Sequence, residues 1–264
     1  MKIVISAKNS SHPKVQGLAQ ALATDHQVGY WAVEESPLVD MITRQSPDLF
    51  IADDEDKTVE YLIDDEDFKS TKIVTLNTKK KRLENHSGLI INLEEFTGMT
   101  MTDLFVPYSS NDFLAGGEPT RQYMADITVF TDGMEDVKFS EWISALACKY
   151  TVKAYGSHQP SLIEYLGSPD TEDYKKILAS GRVGIAFDER WLPDISRAGM
   201  IPLLYTLAPS THWEFSTYKE LAEACSHVTN PEFYTYLWAE GLRDKYEKET
   251  YGKIAKSILE RIFE

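Results

Sequence analysis

The sequence RWLPDISRAGMIPLL, which begins at Arg190, concentrates residue types that could bind a charged or hydroxyl-rich ligand. The guanidinium groups of Arg190 and Arg197 suit an anion, and the carboxylate of Asp194 accepts hydrogen bonds from hydroxyl groups. The same residues also describe a plain junction between two strands. In that interpretation Asp194 lies in the first turn of a short helix that starts near Pro193, and Gly199 ends the helix. The residue types alone leave both interpretations open.

A second candidate site lies in the sequence AKNSSHP, between the first predicted strand and the first predicted helix. This loop is expected at the ligand-binding edge of an open α/β sheet. Ser10, Ser11 and His12, together with backbone N–H groups of the helix N-terminus, could therefore hold an anion or a hydroxyl-rich ligand. The alternative is that Ser11 or His12 only precedes Pro13, which begins the helix.

Two runs of like charge stand out. Nine acidic residues fall between Asp53 and Asp67, and the basic run KKKR consists of Lys79, Lys80, Lys81 and Arg82. The basic run directly follows the predicted strand KIVTL, so we expect it at the carboxyl end of a parallel strand. A solvated surface loop is the alternative for each run. The net charge of −15 repels nucleic acid and anionic membranes, so a polyanionic partner would need a local basic patch.

Other features disfavour several common kinds of site. The sequence lacks the glycine-rich nucleotide-binding motifs, the motif G-x-S-x-G, and the motifs H-E-x-x-H and C-x-x-C. The six histidines form no i, i+4 pair, so we predict no metal site. Cys148 and Cys225 are expected to be buried thiols inside amphipathic helices. Because no signal sequence or membrane-spanning apolar run is found, we expect a soluble, cytoplasmic protein.

Short β-rich runs alternate with helical patterns along the 264 residues, which predicts parallel βαβ units in an α/β fold. The alternation is interrupted at 109–123, SSNDFLAGGEPTRQY, which we interpret as a linker between two Rossmann-like domains. We therefore predict domains at 1–115 and 116–248, followed by a C-terminal helix at 249–264. Within the second domain, a helical pattern is predicted at 160–166.

The sequence DISRAGMIPLL, from Asp194 onward, resembles the pattern E-A-L-A-C-G-x-x-P-V of GT-B-fold glycosyltransferases. It most resembles the spore-maturation-type, family-1-like group, with Asp194 in place of the family's glutamate. Three further passages are similar to that family: LFVPYSSNDFLAGGEPTRQYMADITVF to the interdomain segment, VKAYGSHQP to a strand–Tyr–Gly step near the donor, and AEGLRDKYEKETYGKIAKSILERI to the terminal helices. The resemblance covers 104–264, and the first hundred residues fit only the generic Rossmann half.

This resemblance implies an α/β fold of two Rossmann-like domains, with C-terminal helices that cross back to the first domain. It also implies a nucleotide-sugar donor, in first place a UDP-sugar, with no further cofactor. The family's acid binds the ribose hydroxyls, so that role falls to Asp194. Arg190 and Arg197 are the candidates for neutralising the diphosphate, because enzymes of this fold generally act without a metal. The implied donor site is completed by Tyr155, Gly156 and Gly199.

An inverting reaction also needs a base from the first domain, for which His12, Asp53 and Asp54 are candidates. The implied acceptor side consists of Ser10, Ser11, Lys79, Lys80, Lys81 and Arg82. Small phage DNA glucosyltransferases are similarly compact, so a hydroxymethylated pyrimidine in phage DNA is one candidate acceptor, although the acidic net charge opposes it. The competing hypothesis is a non-catalytic sugar-nucleotide-binding or interaction module that has kept the fold.

Overall fold

The computed structural model describes residues 1–32, 38–53, 70–80, 83, 89–96, 99–100, 103–114, 116–134, 137–161, 163–211, 213–229 and 233–264. The strands of this part of the chain are β1 Lys2–Ser6, β2 Gln27–Trp31, β3 Leu49–Asp53, β4 Lys72–Asn77, β5 Leu89–Asn92, β6 Leu104–Phe105, β7 Ala125–Phe130, β8 Val152–Tyr155, β9 Glu164–Tyr165, β10 Gly181–Ala186, β11 Ile201–Tyr205 and β12 Glu214–Phe215. Its α-helices are α1 Pro13–Ala23, α2 Leu38–Gln45, α3 Val137–Leu146, α4 Thr171–Ser180, α5 Leu192–Arg197, α6 Tyr218–Thr229, α7 Phe233–Lys248 and α8 Tyr251–Phe263.

The chain divides into two compact units. Unit 1 comprises Met1–Ser109 and Tyr251–Glu264, and unit 2 comprises Ser110–Thr250. The C-terminal helix α8 therefore returns to unit 1, as predicted. The unit boundaries follow residues 109 and 250, whereas the predicted domain boundaries follow residues 115 and 248.

Unit 1 contains a six-stranded parallel sheet in the order β2-β1-β3-β4-β5-β6. Strand β3 is buried along its whole length, as expected for a central parallel strand with both faces covered. The order of the strands reverses between β1 and β3. In open α/β sheets, ligands bind beside such a switch point, at the carboxyl ends of the strands.

Helix α8 packs on α1 through an apolar stripe. Tyr251, Ala255, Ile258 and Ile262 recur at helical spacing and are buried in the same core cluster as α1 and the sheet. Gly17 of α1 permits this close approach, because a Cβ atom there would overlap the Tyr251 ring. Burial of this stripe attaches the end of the chain to unit 1.

Unit 2 contains a second six-stranded parallel sheet, in the order β12-β11-β10-β7-β8-β9. Counted from β9, this is the Rossmann order 3-2-1-4-5-6, with its switch point between β7 and β10. Helices α3 and α6 contribute to the core on one face, and α4 and α5 contribute to the core on the other. The two switch points therefore place the loops after β1, β3, β7 and β10 where ligands are expected.

Some local predictions differ from the structure. The helical pattern predicted at 160–166 contains strand β9, because pairing with β8 outweighs helical spacing in so short a segment. Cys148 is exposed, since α3 ends at Leu146, whereas Cys225 is buried as expected. No helix in the described ranges is both long and apolar enough to cross a bilayer.

Candidate functional site

An ion-paired arginine spans the switch point of unit 2. Asp132 follows β7 and Asp188 follows β10, the two strands between which the order reverses. Nη2 of Arg190 lies 3.3 Å from Oδ2 of Asp132, and Nε lies 3.3 Å from Oδ2 of Asp188, the latter without the alignment of a hydrogen bond. The Arg190 side chain is 34% exposed, so a ligand can reach the guanidinium. The sequence analysis selected Arg190 as a candidate but selected neither Asp132 nor Asp188.

The loop after β8 is fastened to the same region. The Ser157 N–H donates to Oδ1 of Asp132 at 3.0 Å, and the His158 N–H donates to Oγ1 of Thr131 at 3.1 Å. Gly156 has a φ of +129°, and a Cβ atom there would lie 2.7 Å from Oγ1 of Thr131. Glycine is required because the two loops approach so closely. The structure therefore brings Gly156 and Arg190, two predicted donor-site residues, to the loop that carries Asp132.

Aromatic rings stack beside Arg190. Trp191 stacks on Phe130 and Tyr174, with ring centres 4.9 Å and 5.3 Å away, and Cζ of Arg190 lies 5.7 Å from the Trp191 ring centre. Burial, together with the charge of Asp132, raises the pKa of Tyr174 to about 12. The indole Nε1 of Trp191 is buried and has no hydrogen-bond partner among the described residues.

Asp194 has a different environment from Arg190. It lies in the first turn of α5 and is 4% exposed. Its Oδ1 accepts the Asn111 backbone N–H at 2.7 Å, and its Oδ2 accepts the Asn111 side-chain amide at 2.8 Å. Burial raises the pKa of Asp194 to about 6, although the Asn111 hydrogen bonds and the charge of Arg197 act in the opposite direction. Both oxygens of the predicted ribose-binding acid are thus engaged by the segment that enters unit 2.

Arg197 holds the same entering segment from the last turn of α5. Its Nη1 lies 3.4 Å from Oγ of Ser110, 3.3 Å from the Asn111 carbonyl and 3.4 Å from Oδ1 of Asp112. Gly199, with a φ of +85°, ends the helix as predicted. The partners of Asp194 and Arg197 are therefore residues 110–112, whereas those of Arg190 are Asp132 and Asp188.

A cavity of about 480 Å³ lies beside Asp194 within unit 2. Three cationic side chains line it, and each forms an ion pair with an acid: Lys175 with Glu172, Arg197 with Asp112, and Arg243 with Glu247. This cavity is a second place in unit 2 where an anionic group would meet cations. Lys175 and Arg243 lie on different helices, α4 and α7, so no local sequence pattern could group them with Arg197.

Tyr155 belongs to the interior of unit 2. It is fully buried at the end of β8 and packs in a small cluster with Tyr123 and Ile177. The predicted Tyr155–Gly156 pair is therefore divided, because the glycine belongs to the loop and the tyrosine to the core.

In unit 1, an ion pair joins the two strands of the switch point. Nζ of Lys8, in the loop after β1, lies 3.6 Å from Oδ1 of Asp53 at the end of β3. The Asp53 side chain is 3% exposed. Ser10 is half-buried and Ser11 is exposed in the turn before α1. Asp54, another predicted base, lies outside the described residues.

His12 caps helix α1. Its Nδ1 accepts the Lys14 backbone N–H at 3.3 Å. Burial and the nearby charge of Lys14 lower the pKa of His12, with Glu94 opposing them, so the ring is mostly neutral at pH 7. Because Nδ1 is the acceptor, the proton of the neutral ring lies on Nε2, and that atom donates. Action as a base through Nε2 would require the other tautomer.

Lys14 is a buried cation that the sequence patterns did not mark. Its side chain is only 5% exposed, and its Nζ donates to the Leu93 carbonyl, lies 3.6 Å from Oε1 of Glu94 and lies 4.5 Å from the Tyr108 ring centre. A lysine in the first turn of a helix is usually exposed, so neither the residue type nor its position indicated that Lys14 is buried. The partners come from the ends of β5 and β6, which only the folded sheet brings to α1.

The basic run follows β4, at the carboxyl end of the strand as predicted. The Lys79 N–H donates to Oδ1 of Asn77 at 3.0 Å. Nζ of Lys80 lies 4.0 Å from Oε2 of Glu94, and the Lys80 side chain is 79% exposed. Lys81 and Arg82 lie outside the described residues.

No family model and no curated protein matches the sequence. Solved structures match its fold over nearly the whole chain. The glycosyltransferase SsfS6 from Streptomyces sp. SF2575 has a TM-score of 0.54 and 12% identity, covering 98% of this chain and 99% of that one. The UDP-GlcNAc 2-epimerase from Neisseria meningitidis bound to UDP-GlcNAc has a TM-score of 0.55 and 9% identity, covering 100% of both chains. The MnaA–UDP structure from S. aureus has a TM-score of 0.52 and 8% identity, covering 98% of this chain and 94% of that one.

At such identities the likeness shows the fold alone. The fold is α/β, with two Rossmann-like units and a C-terminal helix that returns to the first unit, which is the predicted GT-B-like class.

Proposed function

We propose that this protein is an enzyme that transfers a glycosyl group from a nucleotide sugar, in first place a UDP-sugar, to an acceptor hydroxyl. The proposal is carried by Arg190 at the switch point of unit 2, half-exposed beside two carboxylates. A Rossmann-type sheet binds its ligand at this place. Two of the solved structures with the same fold contain UDP-GlcNAc or UDP.

The chemistry of transfer suits these groups. The bond between the anomeric carbon and the diphosphate oxygen breaks, and the diphosphate leaves with the bonding electrons. The acceptor oxygen forms the new bond to the anomeric carbon as its proton passes to a base. A guanidinium has five N–H donors, so Arg190 retains donors for the leaving diphosphate while it pairs with Asp132 and Asp188. The two carboxylates position this guanidinium, since Oδ1 of Asp132 also accepts the Ser157 N–H and Oδ1 of Asp188 also accepts the Arg190 backbone N–H.

For Asp194 we propose a structural role in place of the ribose contact that the resemblance implies. Both carboxylate oxygens already accept hydrogen bonds from Asn111, so a ribose would have to displace the segment that enters unit 2. Variants of Asp194, described below, distinguish the two roles.

The acceptor and the base are assigned to unit 1 under this proposal, as the resemblance implies, with His12, Asp53 and Asp54 as the base candidates. A DNA acceptor would meet the described lysines of the basic run, but Lys80 already lies 4.0 Å from Glu94. Because the whole chain carries a net charge of −15, we favour an uncharged hydroxyl acceptor.

Calorimetric titration with UDP-glucose and UDP-GlcNAc tests the position of the donor. We expect Arg190→Ala to weaken binding about tenfold or more, because a hydrogen bond to a charged group contributes about 1.5–3 kcal/mol. Arg182→Ala is the matched control, since Arg182 is exposed near the amino end of β10, at the opposite edge of the sheet. A thermal-shift series with GDP, ADP and TDP sugars then identifies the nucleotide.

Two results would change this assignment. Equal affinity of wild type and Arg190→Ala would show that the donor binds elsewhere, for which the cavity lined by Lys175, Arg197 and Arg243 is the next place to test. Tight binding of nucleotide sugars without hydrolysis or transfer to any acceptor would favour the non-catalytic binding module.

A further inference from the structure

The cavity of about 480 Å³ in unit 2 is bounded by helices α4, α5 and α7 and by the segment that enters the unit. Each of these helices contributes one cation to the lining, namely Lys175, Arg197 and Arg243. Two carboxylates, Asp194 and Glu247, are the other charged groups of the lining in the described part of the chain. We refer to this space as the arginine cavity.

The three cations are accessible to a ligand, and two of them are more buried than the acids with which they pair. The Lys175 side chain is 25% exposed, against 69% for Glu172. The Arg197 side chain is 20% exposed, against 50% for Asp112. Neither of these two acids lines the cavity, and the Arg243 side chain is itself 54% exposed. A ligand in the cavity therefore meets the cations directly.

Both arginines keep N–H donors that no described residue accepts. Arg243 donates through Nε to Oε1 of Glu247 at 3.2 Å, and its two terminal nitrogens make no hydrogen bond in the described part of the chain. Arg197 uses only Nη1, which has three oxygen partners at 3.3 to 3.4 Å. Spare donors of a planar guanidinium suit the oxygens of a phosphate group.

Two of the three cations lie near the amino end of β11, away from the switch point. Arg197 is the last residue of α5, and Nη1 of Arg243 lies 3.9 Å from the place of a Cβ atom on Gly199, shortly before β11. Arg190, in contrast, follows the carboxyl end of β10. The carbonyl groups in the last turn of α5 accept N–H groups from residues 198–200, so they do not oppose an anion as unpaired acceptors. The arginine cavity is therefore separate from the proposed donor site.

The rest of the lining offers a surface for an organic group. Leu114 of the entering segment and Leu178 of α4 line the cavity beside Gly117. A Cβ atom on Gly117 would lie 2.0 Å from the Lys175 carbonyl oxygen, so backbone forms this wall and no side chain fills the space. The volume is in the range of small-molecule sites and exceeds what a phosphate ion alone would occupy.

We propose that the arginine cavity binds a small phosphate monoester. The phosphate oxygens accept hydrogen bonds from Arg197 and Arg243 and lie near the Lys175 ammonium group. The organic group contacts Leu114 and Leu178. A phosphate monoester carries a charge of about −1.5 to −2 at pH 7, which complements the excess of cations over carboxylates in the lining. The inference does not depend on glycosyl transfer.

Calorimetric titration with glycerol 3-phosphate tests the site, with glycerol and inorganic phosphate as probes of its two halves. We expect glycerol 3-phosphate to bind, inorganic phosphate to bind more weakly, and glycerol not to bind at the same millimolar concentration. Arg243→Gln should weaken the binding of glycerol 3-phosphate about tenfold, because a charge-assisted hydrogen bond is lost. Arg44→Gln is the matched control, since Arg44 is exposed on α2 in unit 1.

Glu247→Gln should have the opposite effect. The substitution removes a negative charge from the lining and keeps the shape of the side chain, so glycerol 3-phosphate should bind severalfold more tightly. Arg243 and Glu247 form an exposed ion pair, so both variants should keep a melting temperature close to that of the wild type. A purely structural ion pair would not change ligand affinity in opposite directions in the two variants.

Several results would overturn the proposal. They are binding of glycerol as tight as that of glycerol 3-phosphate, equal affinity for inorganic phosphate and the ester, and unchanged ester affinity in a folded Arg243→Gln variant. Arg190→Ala should leave the affinity for glycerol 3-phosphate unchanged, and a loss in that variant would place the ester at the switch point instead. Arg243→Gln should leave UDP-sugar affinity unchanged, so failure here is distinguishable from failure of the proposed transferase function.

Discussion

Two regions of unit 2 draw their charged groups from the same short segment and use them differently. Arg190, at the beginning of RWLPDISRAGMIPLL, is 34% exposed and pairs with two carboxylates at the switch point. Asp194, four residues later, is 4% exposed and has both oxygens occupied by Asn111. We refer to the second region, formed by Asp194, Arg197 and residues 110–112, as the entry clamp.

This difference shows that residues of one sequence motif can have two roles, in which some remain open to a ligand and others stabilise the fold. A buried carboxylate must have its hydrogen bonds satisfied by the protein, so the partners of Asp194 are already in place. A half-exposed guanidinium can keep N–H donors available for a ligand with little loss of folding free energy, because water can hydrate them. Residues that resemble one binding motif therefore belong here to two different environments.

Breaking the entry clamp should give the largest effect on stability. Asp194→Ala removes a buried carboxylate and leaves two part-buried Asn111 donors without their acceptors, so we expect the free energy of unfolding to fall by about 3 kcal/mol. Urea denaturation measures this loss, with Asp244→Ala, at an exposed position of α7, as the control. A fully stable Asp194→Ala variant that binds UDP-sugars weakly would restore the ribose role.

The effect of pH on stability through the entry clamp should be smaller than the loss caused by Asp194→Ala. Its sign should be opposite to that of ordinary surface carboxylates. With its pKa raised to about 6, Asp194 binds more protons in the folded state than in the unfolded chain between pH 4 and 6. Its contribution to stability therefore decreases as the pH rises through that window, by on the order of 2 kcal/mol. Asp194→Asn removes this titration, and its amide oxygen can still accept the Asn111 N–H.

Denaturation of wild type and Asp194→Asn at pH 4, 5, 6 and 7 isolates the titration. The stability of the variant relative to the wild type should increase with pH across the series. A constant difference would mean that the carboxyl group titrates near its ordinary value and that its burial does not disfavour the charged form.

The switch point should show the smallest effect on stability. Arg190→Ala removes only partly exposed ion pairs, so we expect the free energy of unfolding to change by less than about 1 kcal/mol. Urea denaturation of the same samples used for the UDP-sugar titrations measures it. A loss as large as that of Asp194→Ala would make Arg190 another structural group and remove the contrast between the two regions.

Much of the fold follows from local sequence patterns. The alternation of β-rich runs and helices predicted two parallel sheets, and the last helix was predicted at 249–264, where the structure has α8. The end of α5 at Gly199 follows from a single residue type. Strand β9 was mistaken for helix because a two-residue strand is defined by its partner and not by its own spacing.

The candidate site was predictable only in part. Arg190 was selected from its residue type and its position after a strand, and Gly156 from the resemblance of VKAYGSHQP to a strand–Tyr–Gly step; the structure places both near Asp132. Asp132 and Asp188 could not be selected, because acidic residues after strands are common and only the sheet order joins these two. The sequence also could not predict that the Tyr155 hydroxyl has no hydrogen-bond partner among the described residues, since whether a polar atom has a partner depends on its surroundings in the fold.

By itself the sequence determined the α/β class, the two Rossmann-like halves, the helix that begins near Pro193 and the supply of cations and acids in its neighbourhood. These depend on periodicity and on residues within a few positions of one another. The tertiary structure alone decided that Asp194 faces Asn111, 83 residues away, and that Lys14 faces Leu93, 79 residues away. Such pairings set burial and partners, and burial and partners decide whether a charged side chain supports the fold or remains open to a ligand.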